Sequence, residues 1–160
     1  GSLKKLKKKY PIEVPTISKK NITTKTILDK KVDKKYILSN KILKTILKHG
    51  TGGYYSKSEI DLEIARPLTR TMVKMHRANQ DNYYSNIFIN NDKKLKWIRK
   101  LTPLEALKLQ GFPTKFYNNA KQNDLSDTQL YMQAGNSVTT NVVKAIITHL
   151  INYGWFNENN

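Results

Sequence analysis

The sequence predicts an α+β protein in which a region of short strands and loops is followed by C-terminal helices. Three observations predict this class. Helix start and stop signals bracket residues 103–110, apolar residues recur at helical spacing over 138–151, and strand-forming residues mix with polar ones over 64–89. The first two segments should therefore be helices, and the third should form strands separated by a loop at 76–80.

The segment 103–110 is flanked by helix start and stop signals. Thr102 can cap the helix, Pro103 suits its first position, and Glu105 can reach back to the Thr102 amide in a capping box. Gly111 and Pro113 then stop it, because glycine favours a helix C-terminus and proline cannot continue the helix. A short, well-capped helix is predicted here.

The helix predicted at 138–151 follows the run Gly135, Asn136 and Ser137. Its apolar positions are Val138, Val142, Val143, Ile146, Ile147 and Leu150. We expect a tight turn at the glycine that delivers polar groups to the helix N-terminus. Such an arrangement can hold a polar ligand or another chain segment.

The N-terminal half reads as an extended segment followed by short helices. Prolines and the Asn-Ile-Thr-Thr run predict an extended chain over 10–25, and a short helix is expected at 26–29. A further helix is predicted at 40–49, capped by Ser39 or Asn40 and stopped by Gly50. The glycine-rich residues 51–55 lack the Gly-x-x-x-x-Gly-Lys pattern, so we expect a flexible turn, or a loop that approaches DNA closely, rather than a phosphate cradle.

The charge is strongly positive and unevenly distributed. Lysine and arginine number 29 against 12 acidic residues, a net charge of +17, which favours a polyanionic partner such as nucleic acid. An AT-rich genome would also raise the lysine content. Residues 3–9 could act as an electrostatic arm on DNA or on an anionic membrane, or could be a solvated terminus.

All four arginines lie in the middle third of the chain: Arg66, Arg70, Arg77 and Arg99. The planar guanidinium can read guanine edges or clamp phosphate in ways that lysine cannot. The loop 76–80 would also present Asn79 and Gln80, whose amides suit adenine. For the basic residues of this region, phosphate contact or plain surface charge are the alternatives.

The sequence offers no residues for several kinds of functional site. The chain has no cysteine, which excludes disulfides, thiolate metal sites and a cysteine nucleophile within these 160 residues. No catalytic residue is assigned, and no metal site is expected, since His76 has no second ligand at a suitable spacing. No apolar run approaches the ~20 residues of a membrane span and no signal peptide is present, so a soluble, cytoplasmic, DNA-associated protein is expected. Residues 1–2 resemble a cloning scar.

Two runs in the C-terminal part resemble the last two signature motifs of the cytosine-5 DNA methyltransferase family. The first run comprises Arg99, Leu101, Thr102, Pro103, Glu105, Leu109, Gln110, Gly111, Phe112 and Pro113. The second run comprises Tyr131, Gln133, Gly135, Asn136, Ser137 and Val138. The resemblance extends to the back third to half of such an enzyme.

This resemblance implies a division of the chain. Residues 3–96 would be a DNA target recognition region, in which 66–69 loosely resembles a Thr-Leu-like strand of the family. Residues 97–160 would dock, through the helices at 103–110 and 138–151, on a Rossmann-like catalytic domain that the chain lacks. The candidates for contact with double-stranded DNA are Arg66, Thr69, Arg70, Lys74, His76, Arg77, Asn79 and Gln80.

The resemblance also implies a function. The chain would be the DNA-recognition part or subunit of a DNA (cytosine-5-)-methyltransferase, as in a restriction-modification system. Asn136, Ser137 and Val138 would complete an S-adenosylmethionine pocket, while Arg99 and Glu105 would fix the motif helix. The methyl-transfer cysteine would lie on a catalytic part outside this chain, so the chain alone is expected to be inactive.

Two alternatives to the methyltransferase interpretation, and two origins within it, remain open from the sequence. A non-enzymatic basic DNA-binding protein would need neither cofactor nor partner, and a membrane-surface protein would act through its basic N-terminus. Within the methyltransferase interpretation, both a natural split subunit and an excised fragment fit, and the absence of an initiator methionine favours the fragment. In both cases the apolar face of 138–150 is expected to be an exposed surface prone to self-association.

Overall fold

The computed structural model describes residues 23–153, except for residues 49, 52, 53, 56, 58, 75 and 78. The basic segment 3–9 and nearly all of the extended segment 10–25 predicted from the sequence lie outside the described residues. The chain divides into two compact units: Ile22–Ser137 forms one, and Gly1–Asn21 with Val138–Asn160 forms the other.

The first unit combines short strands with short helices. Its 3-10 helices are Thr24–Thr26 and Lys34–Tyr36; its strands are β1 (Gly50–Thr51), β2 (Tyr54–Tyr55), β3 (Tyr83–Ser85) and β4 (Ile98–Lys100). Its α-helices are α1 (Asn40–Leu47), α2 (Asn86–Asn90), α3 (Pro103–Leu109), α4 (Thr114–Gln122) and α5 (Asp127–Asn136). The predicted mixture of helices and short strands is confirmed.

Two antiparallel strand pairs are present among the described residues. β1 pairs with β2, and β3 pairs with β4 so that Tyr84 lies opposite Arg99. Ile37 adds an antiparallel bridge to Arg99. Arg99, the first residue of the first motif, therefore lies between two neighbouring chain segments at the centre of this small sheet.

The predicted helices of the first unit are present with one change of type. The helix expected at 40–49 is α1, where the Ser39 hydroxyl accepts a 3.5 Å hydrogen bond from the Ile42 amide. The helix expected at 103–110 is α3, and its predicted capping box is confirmed. The helix expected at 26–29 is wrong, because the chain instead forms a single 3-10 turn at Thr24–Thr26.

The strands predicted over 64–89 are largely wrong. β3 is the only strand there among the described residues, and the segment 69–74 instead forms successive turns. Those turns are closed by hydrogen bonds from the Met72 amide to the Thr69 carbonyl (3.2 Å) and from the Lys74 amide to the Thr71 carbonyl (3.0 Å). The apolar stretch after β3 becomes helical because the Ser85 hydroxyl caps α2.

The core of the first unit brings α3 and α5 together. The largest buried cluster contains Tyr36, Ala106, Leu107, Leu130, Tyr131 and Ala134. Ala106 on α3 and Ala134 on α5 are fully buried, and such small side chains allow two helices to approach closely. The two motifs are thus packed against each other.

The predicted tight turn at Gly135 is wrong. Gly135 and Asn136 belong to the last turn of α5, and Ser137 is its C-cap. Helix α5 was not predicted, although it begins with a second capping box, made by Ser126 and Gln129. Because that helix continues to Asn136, the chain does not turn where a glycine alone suggested it would.

The second unit contains α6, Thr140–Asn152. The sequence had predicted it at 138–151; it starts later because Ser137 and Thr139 keep extended ψ angles. Its exposed apolar residues are Val142, Val143, Ile146, Ile147 and Ile151. Among the described residues, no helix has both the length and the apolar character needed to cross a bilayer.

Candidate nucleic-acid interface

A buried ion pair organises the first motif. Arg99 donates to Glu105 through Nη1 (2.8 Å, to Oε2) and Nη2 (2.7 Å, to Oε1), and both side chains are fully buried. The carboxylate also accepts hydrogen bonds from the amides of Asp29 and Thr102, each at 2.7 Å. Four donors therefore satisfy the Glu105 charge away from solvent.

The same arginine ties three chain segments together. Its guanidinium donates to the carbonyl oxygens of Asp29 and Lys100, each at 3.0 Å. It thus joins the N-terminal segment, strand β4 and the capping box of α3. Arg99 and Glu105 hold the scaffold and have no access to a ligand.

The second motif is attached to the first by polar contacts. The Tyr131 hydroxyl donates to the Leu101 carbonyl. Nε2 of Gln110 donates to the Ala134 carbonyl at 2.9 Å and to the Ser137 carbonyl at 3.5 Å. The C-terminal end of α5 is therefore fixed relative to α3.

Residues 69–74 together with 76 and 77, which we call the arginine turn, lie against this end of α5. A Cβ atom added to Gly135 would lie 2.5 Å from the Thr69 carbonyl oxygen and closer still to the Thr69–Arg70 peptide bond. The absence of a side chain at Gly135 is what permits this approach. This motif glycine thus serves helix-to-backbone packing and not the predicted turn.

Arg77 closes the base of the arginine turn. Its Nη2 donates to the Thr69 hydroxyl (2.7 Å) and to Oδ1 of Asp81 (3.1 Å). The Arg77 amide also donates to Oδ2 of Asp81 at 2.9 Å. Arg77 and Thr69, both predicted to contact DNA, are therefore engaged with each other inside the chain.

Arg66 is also engaged internally. Its guanidinium donates to the carbonyl oxygen and carboxylate of Glu59, at 2.9 and 3.2 Å, and its side chain is only 16% exposed. The Asn82 side chain exchanges hydrogen bonds with the Arg66 backbone. This arginine joins residue 59 to the start of β3, a role that no sequence signal indicated.

The remaining candidates for DNA contact lie at the surface. Their side chains are exposed, and they are Arg70, Lys74, His76, Asn79 and Gln80. Asn79 and Gln80 lie in a second turn. This turn is closed by hydrogen bonds from the Gln80 and Asp81 amides to the Arg77 carbonyl, at 3.1 and 2.9 Å. Arg77 thus joins the arginine turn to this second turn, and the exposed polar groups occupy one short stretch of chain.

A small cavity of about 20 Å³, the size of one water molecule, lies beside these turns. Its lining residues are Met72, His76, Asp81, Asn82, Tyr83, Lys100, Leu101 and Tyr131. Partial burial and the neighbouring Lys100 ammonium lower the pKa of His76. Burial also lowers the pKa of Lys100, although the Asp127 carboxylate opposes this shift. His76 is therefore neutral at pH 7.

A second polar cluster, missed by the sequence analysis, surrounds Asp127 at the start of α5. Its carboxylate accepts from the Tyr36 hydroxyl (2.7 Å) and from the ammonium groups of Lys35 and Lys121 (each 2.8 Å). Although burial raises the pKa of Asp127, the hydrogen bonds from Lys121, Lys35 and Tyr36 hold it well below its ordinary range. The cluster joins α5 to the segment around residue 35.

The residues predicted to bind the cofactor are consecutive in the chain, and each is described within its own unit. Asn136 is exposed at the end of α5, and the Ser137 hydroxyl donates to the Ala134 carbonyl at 2.9 Å. Val138 belongs to the second unit and is 65% exposed. Within the described part of the chain, no group of three His, Asp or Glu residues is placed to hold a metal ion.

Comparison with known proteins assigns the family. Residues 2–152 match the family of C-5 cytosine-specific DNA methylases. This chain belongs to that family. It is 35% identical over 147 residues to the type II methyltransferase M.SsoII of Shigella sonnei, covering 86% of this chain and 34% of that methylase. It is 34% identical over 146 residues to the type II methyltransferase M1.ScrFI of Lactococcus lactis, covering 87% and 34% respectively.

Other relatives match over a shorter stretch of this chain at higher identity. An orphan methyltransferase of Bacillus phage SPbeta is 46% identical over 54 residues, which is 34% of this chain and 12% of that protein. Most of this chain matches the two type II methyltransferases, but it spans only about a third of their length.

Solved methyltransferase structures share the fold. A methyltransferase of Entamoeba histolytica matches with a TM-score of 0.65 at 20% identity, covering 89% of this chain and 44% of that one. The Dnmt2 methyltransferase of S. pombe matches with a TM-score of 0.61 at 18% identity, covering 81% and 42%. The small mixed fold of this methylase chain is therefore one found within larger methyltransferases.

Proposed function

We propose that this chain is the DNA-recognition part of a cytosine-5 DNA methyltransferase and that it binds duplex DNA sequence-specifically. The observation that carries the proposal is the seating of the arginine turn against Gly135, a residue of the second family motif. The exposed cationic turn is thereby packed against a helix of the second motif. A scaffold that holds a cationic loop in a fixed position is suited to reading base edges, which demands defined geometry.

Within the exposed stretch, we assign different roles to different side chains. Arg70 and Lys74 are exposed cations on the arginine turn and can neutralise phosphates or reach guanine. Asn79 and Gln80 are exposed amides on the second turn and can address adenine. Arg66, Thr69 and Arg77 support these groups from inside. The Arg66 guanidinium donates to Glu59, and Nη2 of Arg77 donates to the Thr69 hydroxyl.

The second part of the proposal concerns S-adenosylmethionine, the methyl donor. Asn136, Ser137 and Val138 would contribute to its pocket. Their chemistry fits such a ligand: Asn136 presents an exposed amide, the Ser137 hydroxyl keeps acceptor capacity after donating to Ala134, and Val138 presents apolar surface. These residues would bind and orient the cofactor; they supply no group that transfers the methyl.

The third part concerns a catalytic partner. Attack on the pyrimidine ring needs a thiolate, and the chain has no cysteine, so the nucleophile would lie on a catalytic part outside these residues. The chain alone would then be inactive. The apolar residues of α6 would pack on that part, which we expect to be Rossmann-like. The names of the two type II relatives favour a restriction-modification system.

Salt-dependent DNA binding tests the first part. Fluorescence anisotropy with a labelled duplex of mixed sequence should show an affinity that falls steeply with salt, with a log-log slope of about 5 if six phosphates are neutralised. Arg70→Ala should weaken binding about tenfold. Lys115→Ala, which removes an exposed cation from α4, is the matched control and should change affinity less than twofold. A flat salt response, or equal effects of the two variants, would overturn the proposal.

The net charge of +17 favours a second candidate, a DNA-binding protein with no enzymatic role. The two candidates differ in the use of Asn136. A non-enzymatic protein would bind DNA identically with Asn136→Ala and would gain nothing from a catalytic partner. The recognition part of a methyltransferase would lose methyl transfer in the presence of that partner, although its DNA affinity alone would be unchanged.

A further inference from the structure

We infer that Gly135 is a positioning residue for DNA recognition, because the space above its Cα determines where Arg70 is held. The inference rests on the proposed function, since it assumes that Arg70 meets the duplex. It assigns to the second motif a role in the DNA-binding face in addition to the cofactor segment that begins at Asn136.

Space, and not backbone conformation, explains the glycine. Gly135 does not have a positive φ angle, whereas Gly111, at the end of α3, has φ of 82°. A glycine within a helix is destabilising relative to alanine by about 0.5–1 kcal/mol. The close approach of the Thr69–Arg70 backbone is the feature that an alanine would not permit.

Contacts to the rest of the first unit prevent α5 from moving away from the Thr69–Arg70 backbone. α5 is fixed to the first motif through Tyr131 and through the Gln110 contact with the Ala134 carbonyl. Ala134, next to Gly135, is fully buried against the core. A methyl group at position 135 would therefore displace the arginine turn and leave α5 in place.

The turn would move as a unit. Thr69 is hydrogen-bonded through its hydroxyl to Arg77, and its carbonyl accepts from the Met72 amide. A shift of the Thr69–Arg70 peptide by about 1 Å, needed to restore van der Waals distance, would carry Arg70 with it. A side chain that must meet a base edge or phosphate at hydrogen-bond distance loses that contact over such a displacement.

A double-mutant cycle with Arg70 tests the inference. Binding of the full chain to a labelled duplex is measured for Gly135→Ala, Arg70→Ala and the double variant. Gly135→Ala should weaken binding about tenfold, and its effect in the Arg70→Ala background should fall below about twofold. Gln133→Ala, an exposed change on the same helix, is the matched control and should leave affinity unchanged. Equal effects of Gly135→Ala in both backgrounds would overturn the inference.

A measurement on the unsubstituted chain covers the case in which Gly135→Ala fails to fold. In NMR spectra of a uniformly isotope-labelled sample, the Gly135 Cα resonance should shift on addition of duplex together with the Arg70 amide. The Gly111 resonance serves as the control and should not shift. An unchanged Gly135 resonance alongside a shifted Arg70 amide would contradict the inference and leave the proposed function standing. Absence of any DNA binding by the chain would overturn both.

Discussion

The Arg99 guanidinium and the Glu105 carboxylate form a fully buried pair joined by two hydrogen bonds of 2.7 and 2.8 Å. Neither charge reaches solvent, and the carboxylate gains two further donors from backbone amides. The spacing Arg-x-Leu-Thr-Pro-x-Glu therefore encodes a buried polar network around the Glu105 carboxylate in addition to a helix start. This network fixes α3, on which α5 and hence the arginine turn depend.

Breaking the pair should be costly. Glu105→Gln would leave the Arg99 charge buried without its partner, so the free energy of unfolding should fall by about 3–5 kcal/mol. Urea denaturation measured by circular dichroism gives this value. Glu63→Gln, at an exposed position, is the control and should change stability by less than about 0.5 kcal/mol. Similar losses for the two variants would show that the buried pair is not the source of stability.

The Asp127 cluster should make the folding stability of the chain sensitive to acid. Because hydrogen bonds from Lys121, Lys35 and Tyr36 depress the pKa of Asp127 in the folded state, the stability it confers is present above the ordinary carboxylate pKa. That stability is lost as the pH falls below about 5.

The Asp127→Asn variant tests this contribution to stability. The free energy of unfolding should fall by about 1–2 kcal/mol at pH 7, and its dependence on pH between about 5 and 2 should become shallower. Asp124→Asn, at an exposed position in the loop before α5, should leave the pH dependence as in the unsubstituted chain. Parallel stability-against-pH curves for the Asp127→Asn variant and the unsubstituted chain would contradict the assignment.

Arg66 and Arg70 should behave in opposite ways. Arg66→Gln removes hydrogen bonds to Glu59 and should lower the free energy of unfolding by about 1–3 kcal/mol, with the salt dependence of DNA binding unchanged. Arg70→Gln should leave thermal stability unchanged and lower the slope of log affinity against log salt by about 1. A stability loss with Arg70→Gln and none with Arg66→Gln would refute both assignments.

DNA binding should strengthen on mild acidification through His76. Partial burial and Lys100 lower the pKa of His76, so its imidazole is neutral at pH 7 and gains a positive charge as the pH falls. A nearby phosphate favours the charged form, so affinity should rise by about threefold between pH 7.5 and 5.5. The His76→Gln variant should lose this part of the pH response. Identical pH profiles for the variant and the unsubstituted chain would exclude His76 from the interface.

Local signals in the sequence predicted the elements that depend on local chemistry. Thr102, Pro103 and Glu105 determine the start of α3 through their own backbone and side-chain contacts, so the capping box could be read directly. The sequence also placed α1 after Ser39. Such features require no knowledge of the rest of the fold.

Features that depend on long-range contacts could not be predicted in the same way. The role of Gly135 is defined by the backbone of Thr69, which is 66 residues away in sequence. Local sequence around the glycine therefore favours a turn. Arg66 and Arg77 likewise carried the signal of DNA contact, but their partners, Glu59 and Asp81, are set by the fold. The arginine clustering alone could not separate supporting arginines from exposed ones.

Reconstitution of methyl transfer tests the central claim most directly. The chain is mixed with the part of the Shigella sonnei relative that precedes the matched region, together with labelled S-adenosylmethionine and genomic DNA of mixed sequence. We predict label on cytosine C5 with the pair and with neither part alone, and its loss with Asn136→Ala. A pair that associates and binds DNA but transfers no methyl group would contradict the claim that this chain completes a methyltransferase.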